Sequence, residues 1–319
     1  RKFIDMYAGR LRNQVSFMLS ACNFYMPIFE EALDAYGLPL ELRYLPIIES
    51  ALNPSAVSRA GASGLWQFMI GTGKIYGLES NSLVDERRDP IKATWAAARY
   101  LKEMYDIYGD WNLVIAAYNC GPGTINKAIR RANGETDYWK IYNYLPKETR
   151  GYVPAFIAAN YVMTYYCDHN ICPMETNIPA STDTVQVNKN LHFEQIADLC
   201  NVPLDQIKSL NPQYKKQMIP GDSKPYTLRL PIDAISTFID KQDTIYAHRA
   251  DELFRNRKTV AVKEITPSTR KTTAAVAGKG KLTYYTIKSG DTLSTIAGKY
   301  GVTIKDIQRW NGMSNTKIA

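Results

Sequence analysis

The chain has 319 residues, enough for two or three domains, and its 45% hydrophobic content supports a real core. A net charge of +8 suits contact with an anionic partner such as nucleic acid, anionic lipid or an anionic cell wall. No zinc-ligand spacing, recognition-helix signature or aromatic ribonucleoprotein motif supports nucleic acid, and the basic residues are scattered as on a solvated surface.

No run reaches the ~18 apolar residues of a membrane helix. Three His show no ligand spacing, so neither metal nor other cofactor is expected. The five Cys form no closed disulfide framework: Cys167 and Cys172 would pair in an exported chain, or stay as buried free thiols. The chain starts at Arg1 rather than Met, so any signal peptide or lipid-attachment Cys would lie outside it and the absence of a targeting segment is uninformative.

Residues 1–36 read as two helices, with Leu11, Val15, Met18 and Leu19 and then Phe24, Ile28, Phe29, Ala32 and Leu33 at helical spacing. Pro27 marks a first turn or a kink. Leu38-Pro39 opens the helix that carries Glu49, and Pro46 either bends it or starts a new turn. Glu49 sits among Leu45, Ile47, Ile48, Ala51 and Leu52, where a charged carboxylate is costly and the protonated form is favoured. Such a group suits general-acid work in glycoside hydrolysis, whereas the bland reading is a surface Glu on an amphipathic helix.

Asn53-Pro54 stops this helix. Ser58 to Gly64 is small and Gly-rich, so its backbone can approach a ligand, and Leu65-Trp66-Gln67-Phe68-Met69 returns to large residues. The glycines around Lys74 lack the spacing and the Ser or Thr of a phosphate-binding loop, so no nucleotide site is expected. Asp89-Pro90 and Asp110 start two helices, the second ending at Tyr118-Asn119 before Cys120-Gly121-Pro122-Gly123. Residues 124–132 give a short basic helix, and a longer one runs from about Lys147 through Tyr152 and Phe156 to Val162. Residues 1 to about 170 thus read as one α domain.

Beyond Pro173 the chain turns polar and carries an internal repeat offset by 100 positions. His192, Phe193, Ile196, Val202, Ile207 and Asn211 line up with Thr292, Leu293, Ile296, Val302, Ile307 and Asn311. Thr-, Lys- and Ala-rich sequence separates the copies and reads as a linker.

Glu49-Ser50, Ser58, Gly61-Ala62-Ser63-Gly64-Leu65, Gln67 and Ala117-Tyr118-Asn119 together resemble the signature of the lytic transglycosylases of the soluble-transglycosylase, goose-lysozyme-like superfamily. Ser58 follows the acid by 9 residues and Gln67 by 18. Trp66, where Met is usual, is similar to the membrane-bound transglycosylase D subfamily, and Tyr152-Val153-Pro154 also matches. The segment Tyr285 to Leu293, with its Ser289-Gly290-Asp291 turn, resembles LysM, a βααβ module that binds N-acetylglucosamine polymers. The first copy has Asn188-Lys189-Asn190 there and resembles a degenerate LysM.

The resemblance implies a mainly α lysozyme-like catalytic domain followed by small α+β modules. The expected bounds are 1–36 for an N-terminal helical segment packing on the catalytic domain, 37–175 for that domain, 183–235 for the degenerate module, 236–282 for the linker and 283–319 for the LysM domain, which stops before its closing strand. It implies that Glu49 is the catalytic acid and then base, with Ser58, Gln67, Met69, Tyr118, Asn119 and Tyr152 at the substrate. Gly290, Asp291, Thr292 and Asn311 would contact glycan. From the residues alone, a loop cap (Ser58), a core amide (Gln67), a packed Tyr and self-capping Asn (Tyr118, Asn119) and a spacer fold (both repeats) stay open. The implied partner is the glycan of peptidoglycan in the periplasm of a bacterial envelope, the protein being an outer-membrane lipoprotein if a lipid-attachment segment precedes Arg1. A goose-type muramidase and a non-catalytic wall scaffold are the alternatives.

Overall fold

Aspartate and proline set the helix starts of the first domain. Asp89 accepts hydrogen bonds from the backbone N–H groups of Ile91 and Lys92 (2.9 and 3.0 Å), and Asp110 accepts one from that of Leu113 (2.8 Å). In the computed structural model these begin helices Pro90–Tyr108 and Trp111–Cys120. The structure describes residues 1–176, 178, 179, 181–254, 293–300, 302 and 304–311. The chain divides into two units, Arg1–Ile265 and Thr266–Ala319.

The helical domain is built from α1 (Arg12–Ala35), α2 (Leu45–Ser50), α3 (Pro90–Tyr108), α4 (Trp111–Cys120), α5 (Pro122–Arg131) and α6 (Lys147–Thr164). Helix α1 continues past Pro27 and α6 past Pro154. Each proline removes only one ladder donor, a loss that packing outweighs. Helix α4 is buried over a continuous stretch, Leu113 to Ala117, and it lies against α3 and α6. The segment before Glu49 is a 3₁₀ turn, Leu40–Tyr44, after which α2 begins afresh with Pro46 in its first turn.

The first repeat copy forms β1 (Thr182–Val187), β2 (Asn190–His192), α7 (Phe193–Cys200), α8 (Leu204–Leu210), β3 (Met218–Pro220) and β4 (Tyr226–Pro231). β1 pairs antiparallel with β4, from Thr182 opposite Pro231 to Val187 opposite Tyr226, and β2 pairs with β3. Alternate residues Tyr226, Leu228 and Leu230 point into the module core. Buried Asn211 ties α8 to β4, accepting from the Arg229 N–H (2.8 Å) and donating to the carbonyls of Ile207 and Arg229.

This module is docked on the helical domain. The Asp85 N–H donates to the Gln213 carbonyl (2.9 Å), and the Lys215 N–H donates to that of Leu83 (2.8 Å). Leu83 and Val84 complete the module's apolar core, while Lys224 pairs with Glu79 (2.7 Å). Residues Ile232–Asp240, Gln242–Ala247 and Ala250–Leu253 form helices, where the sequence led us to expect linker from 236. Phe238 and Ile245 are buried, and Gln195, 0% exposed, donates to the carbonyls of Tyr246 and His248. Those apolar residues and that amide draw the segment onto the module despite its polar composition.

In the second unit, helices Leu293–Tyr300 and Ile304–Asn311 pack together, with Leu293, Ile296 and Ala297 buried. Gly290, Asp291, Thr292 and the side chain of Asn311 lie outside the described residues. Cys167 and Cys172 are free and exposed rather than buried. No described helix is long and apolar enough to cross a membrane.

Candidate active site

Helix α2 ends abruptly at the Glu49-Ser50 pair. Ala51 and Leu52 both adopt left-handed backbone (φ 51° and 58°), uncommon for side chains with Cβ atoms. Such strain gathers where a chain is held for function. The Ser50 hydroxyl donates to the carbonyls of Pro46 (3.0 Å) and Leu65 (2.9 Å), tying α2 to the Gly-rich loop. Replacing Ser50 by Ala should cost about 1 kcal/mol. At roughly 2–4 °C per kcal/mol, a melting curve would register it as a small drop in Tm.

Glu49 is half-buried and faces a cleft of about 410 Å³. Burial raises its carboxyl from 4.5 to about 7, the Tyr152 hydrogen bond opposes this, and the charge of Glu148 adds to it. Tyr152, from α6, donates its hydroxyl to Glu49 Oε1. Tyr118, from the end of α4, donates instead to the Trp66 carbonyl (2.6 Å). Burial, together with the nearby Glu49 charge, holds both phenols protonated.

The loop after α2 folds back on itself. Its Ser58 N–H donates to the Ala62 carbonyl (2.9 Å), and the Ser58 hydroxyl accepts from the Ala62 N–H (3.0 Å). Gln67 sits at φ 50° and its amide donates to the carbonyls of Gly64 (2.8 Å) and Ala56 (3.2 Å). Trp66 is 0% exposed and donates its indole N–H to Thr94 on α3 (2.9 Å). Anchoring Trp66 in the core turns Gln67 toward the cleft.

Glu49, Ser58 and Gln67 line one cleft, with Ser50 beside them. Tyr118 and Tyr152 stand behind the acid. Met69 is 45% exposed and does not line this cleft. Neither does Asn119, whose side-chain oxygen accepts from the Thr149 hydroxyl (2.9 Å).

A family model, Transglycosylase SLT domain, matches residues 26–141. Two further models match, the LysM-like domain of lytic transglycosylase MltD over 181–247 and LysM over 285–319. Residues 26–141 thus carry a transglycosylase SLT domain. The chain is 33% identical over 286 residues to membrane-bound lytic murein transglycosylase D of Escherichia coli K12, covering 88% of this chain and 58% of that protein. It therefore spans a little over half the length of this relative. It is also 33% identical over 124 residues to the soluble lytic murein transglycosylase of the same organism (37% of this chain, 19% of the relative). The crystal structure of the 70 kDa soluble lytic transglycosylase of Escherichia coli matches with 29% identity and a TM-score of 0.39, covering 45% of this chain and 24% of that one.

Beyond the expected residues, the SLT domain carries a buried clamp. The Arg87 guanidinium donates to the carbonyls of Gly61 (2.8 Å) and Phe68 (2.9 Å), at both ends of the loop. It is held by Asp85, 1% exposed, through bonds of 2.9 and 2.8 Å. In sequence these residues read as part of a charged run. Their signal is the crowding of Asp85, Glu86, Arg87 and Arg88 immediately before the Asp89-Pro90 helix start.

Proposed function

We propose that the chain is a peptidoglycan lytic transglycosylase that cleaves the β-1,4 bond between N-acetylmuramic acid and N-acetylglucosamine. The observation that carries this reading is that Glu49, its proton affinity raised to about 7, is the one carboxyl group among the described residues lining the cleft. Hydrolysis with two carboxylates needs a second acid at the reacting bond. A single carboxyl can instead serve twice, first as acid and then as base.

Glu49 donates its proton to the bridging oxygen, and the electron pair of the broken C1–O bond leaves with the N-acetylglucosamine. The N-acetyl group of the muramic acid stabilises the cationic C1. The Glu49 carboxylate then takes the proton of the muramic acid 6-hydroxyl, whose oxygen bonds to C1. The product is a 1,6-anhydro end, no water is consumed, and Glu49 is again protonated. Tyr152 orients Glu49, and Ser58 and Gln67 hold the sugar beside it. Met69 and Asn119 act further along the strand, while Tyr118 fixes the loop at Trp66. Gly290, Asp291, Thr292 and Asn311 in 283–319 hold the chain to its polymer and raise the local glycan concentration. The setting is the bacterial envelope on its periplasmic side.

The test is mass spectrometry of muropeptides released from purified peptidoglycan. Products lighter than the hydrolysed form by one water are expected. Reducing ends that carry the water would make the protein a muramidase, and binding without release would make it a scaffold.

The pH profile offers a second test. Glu49 must start protonated, so activity should fall as pH rises through about 7. The Tyr152 bond lowers the proton affinity of Glu49, so Tyr152→Phe should move this alkaline limb to higher pH while also slowing turnover. A limb that stays in place or moves down would remove Tyr152 from the acid's surroundings.

A further inference from the structure

The Glu49 cleft has a wall that the matched SLT segment does not supply. Tyr7, Leu11, Gln14 and Met18 line it, and all four precede residue 26, where the family match begins. Their spacing of four, three and four places them on one face of a helical stretch. Tyr7 and Met18 are buried and Leu11 is half-buried, so the stripe reads as core apart from one polar position. That position is Gln14, which is exposed and whose carboxamide has no hydrogen-bond partner among the described residues. The backbone here is also irregular. Met6–Arg10 is a π-helical turn closed by the Leu11 N–H on the Met6 carbonyl (2.9 Å), and such turns gather at functional sites.

We propose that residues 7–18 form a second wall of the glycan cleft, in which Gln14 determines specificity by pairing its carboxamide with an acetamido group of the bound strand. A carboxamide offers donors and an acceptor together, matching the N–H and C=O of an acetamide. Leu11 and Met18 meet the acetamido methyl. The proposal rests on the glycan reading given above and adds which sugar substituent the cleft selects.

The test uses the full chain carrying Glu49→Gln, so that the ligand is bound and not turned over. A tetramer of β-1,4-linked N-acetylglucosamine is titrated while the Met18 methyl resonance, a reporter inside the cleft, is followed. Adding Gln14→Leu, which keeps the volume and completes the apolar stripe, should raise the half-saturation concentration about fivefold or more, as should Gln14→Ala. The corresponding glucose tetramer, which lacks acetamido groups, should bind weakly and equally with and without Gln14. Unchanged half-saturation for the N-acetylated tetramer in both Gln14 variants would overturn the proposal. A Met18 resonance that does not respond even with Gln14 present would overturn the glycan reading itself.

Discussion

Glu49→Gln is expected to cut the release of muropeptides by at least about a thousandfold, within the range that a lost acid–base group removes. Glutamine keeps the shape and can accept the Tyr152 hydroxyl bond, but it can neither give nor take the proton. Binding at the Met18 side of the cleft should survive, which separates a chemical defect from a folding one. Release within tenfold of the parent would remove Glu49 from the reaction. The same substitution should stabilise the fold at neutral pH. A carboxyl raised to about 7 in the folded chain binds more protons than its unfolded form between pH 4.5 and 7. Stability is therefore lost as pH climbs through that window and is unaffected below it. Gln carries no such penalty, so its advantage in Tm, a few degrees at pH 7.5, should vanish near pH 4.

The site was legible where the signal is local. Glu49 stands out because five apolar neighbours surround it in sequence, and those neighbours, with the end of α2, put it at the cleft. Asp89-Pro90 and Asp110 name their own helix starts because a capping side chain acts within three residues. Tyr152 came only from the resemblance, since nothing in its own helix shows that its hydroxyl reaches an acid 103 residues earlier. The Arg87 clamp acts across 19 to 26 residues and could not be read from its charged surroundings. The cleft wall at residues 7–18 was hidden for a different reason. Its stripe has the period of a core face, and periodicity does not tell whether that face meets protein or ligand. The segment after 235 packs on the module, where linker is expected because its two buried apolar residues, Phe238 and Ile245, are dilute in polar sequence. One buried amide, Gln195, nevertheless ties its end to the module.

The loop that presents Gln67 allows a paired experiment on what holds it. Gly61 and Gly64 have nearly the same backbone, φ 87° and 89°. A Cβ on Gly61 would meet nothing within 4 Å, whereas one on Gly64 would lie 1.7 Å from the Arg87 carbonyl oxygen. Gly61→Ala should therefore show only the conformational cost of a left-handed alanine, about 1–2 kcal/mol. Gly64→Ala carries that cost and must also part the loop from the backbone of the residue whose guanidinium clamps it. The contact is with main chain, so no rotamer change relieves it, and the total should be on the order of 4 kcal/mol. At roughly 2–4 °C per kcal/mol for a unit of this size, Tm should fall by about 10 °C or more for Gly64→Ala, and by about half as much or less for Gly61→Ala. Activity should follow the same order, because separating Gly64 from Arg87 removes the carbonyl that holds the Gln67 amide at 2.8 Å. Equal losses in the two variants would mean that backbone strain alone governs this loop. They would also mean that its packing against Arg87 gives way at no cost, and the clamp could then not be what fixes Gln67 beside Glu49.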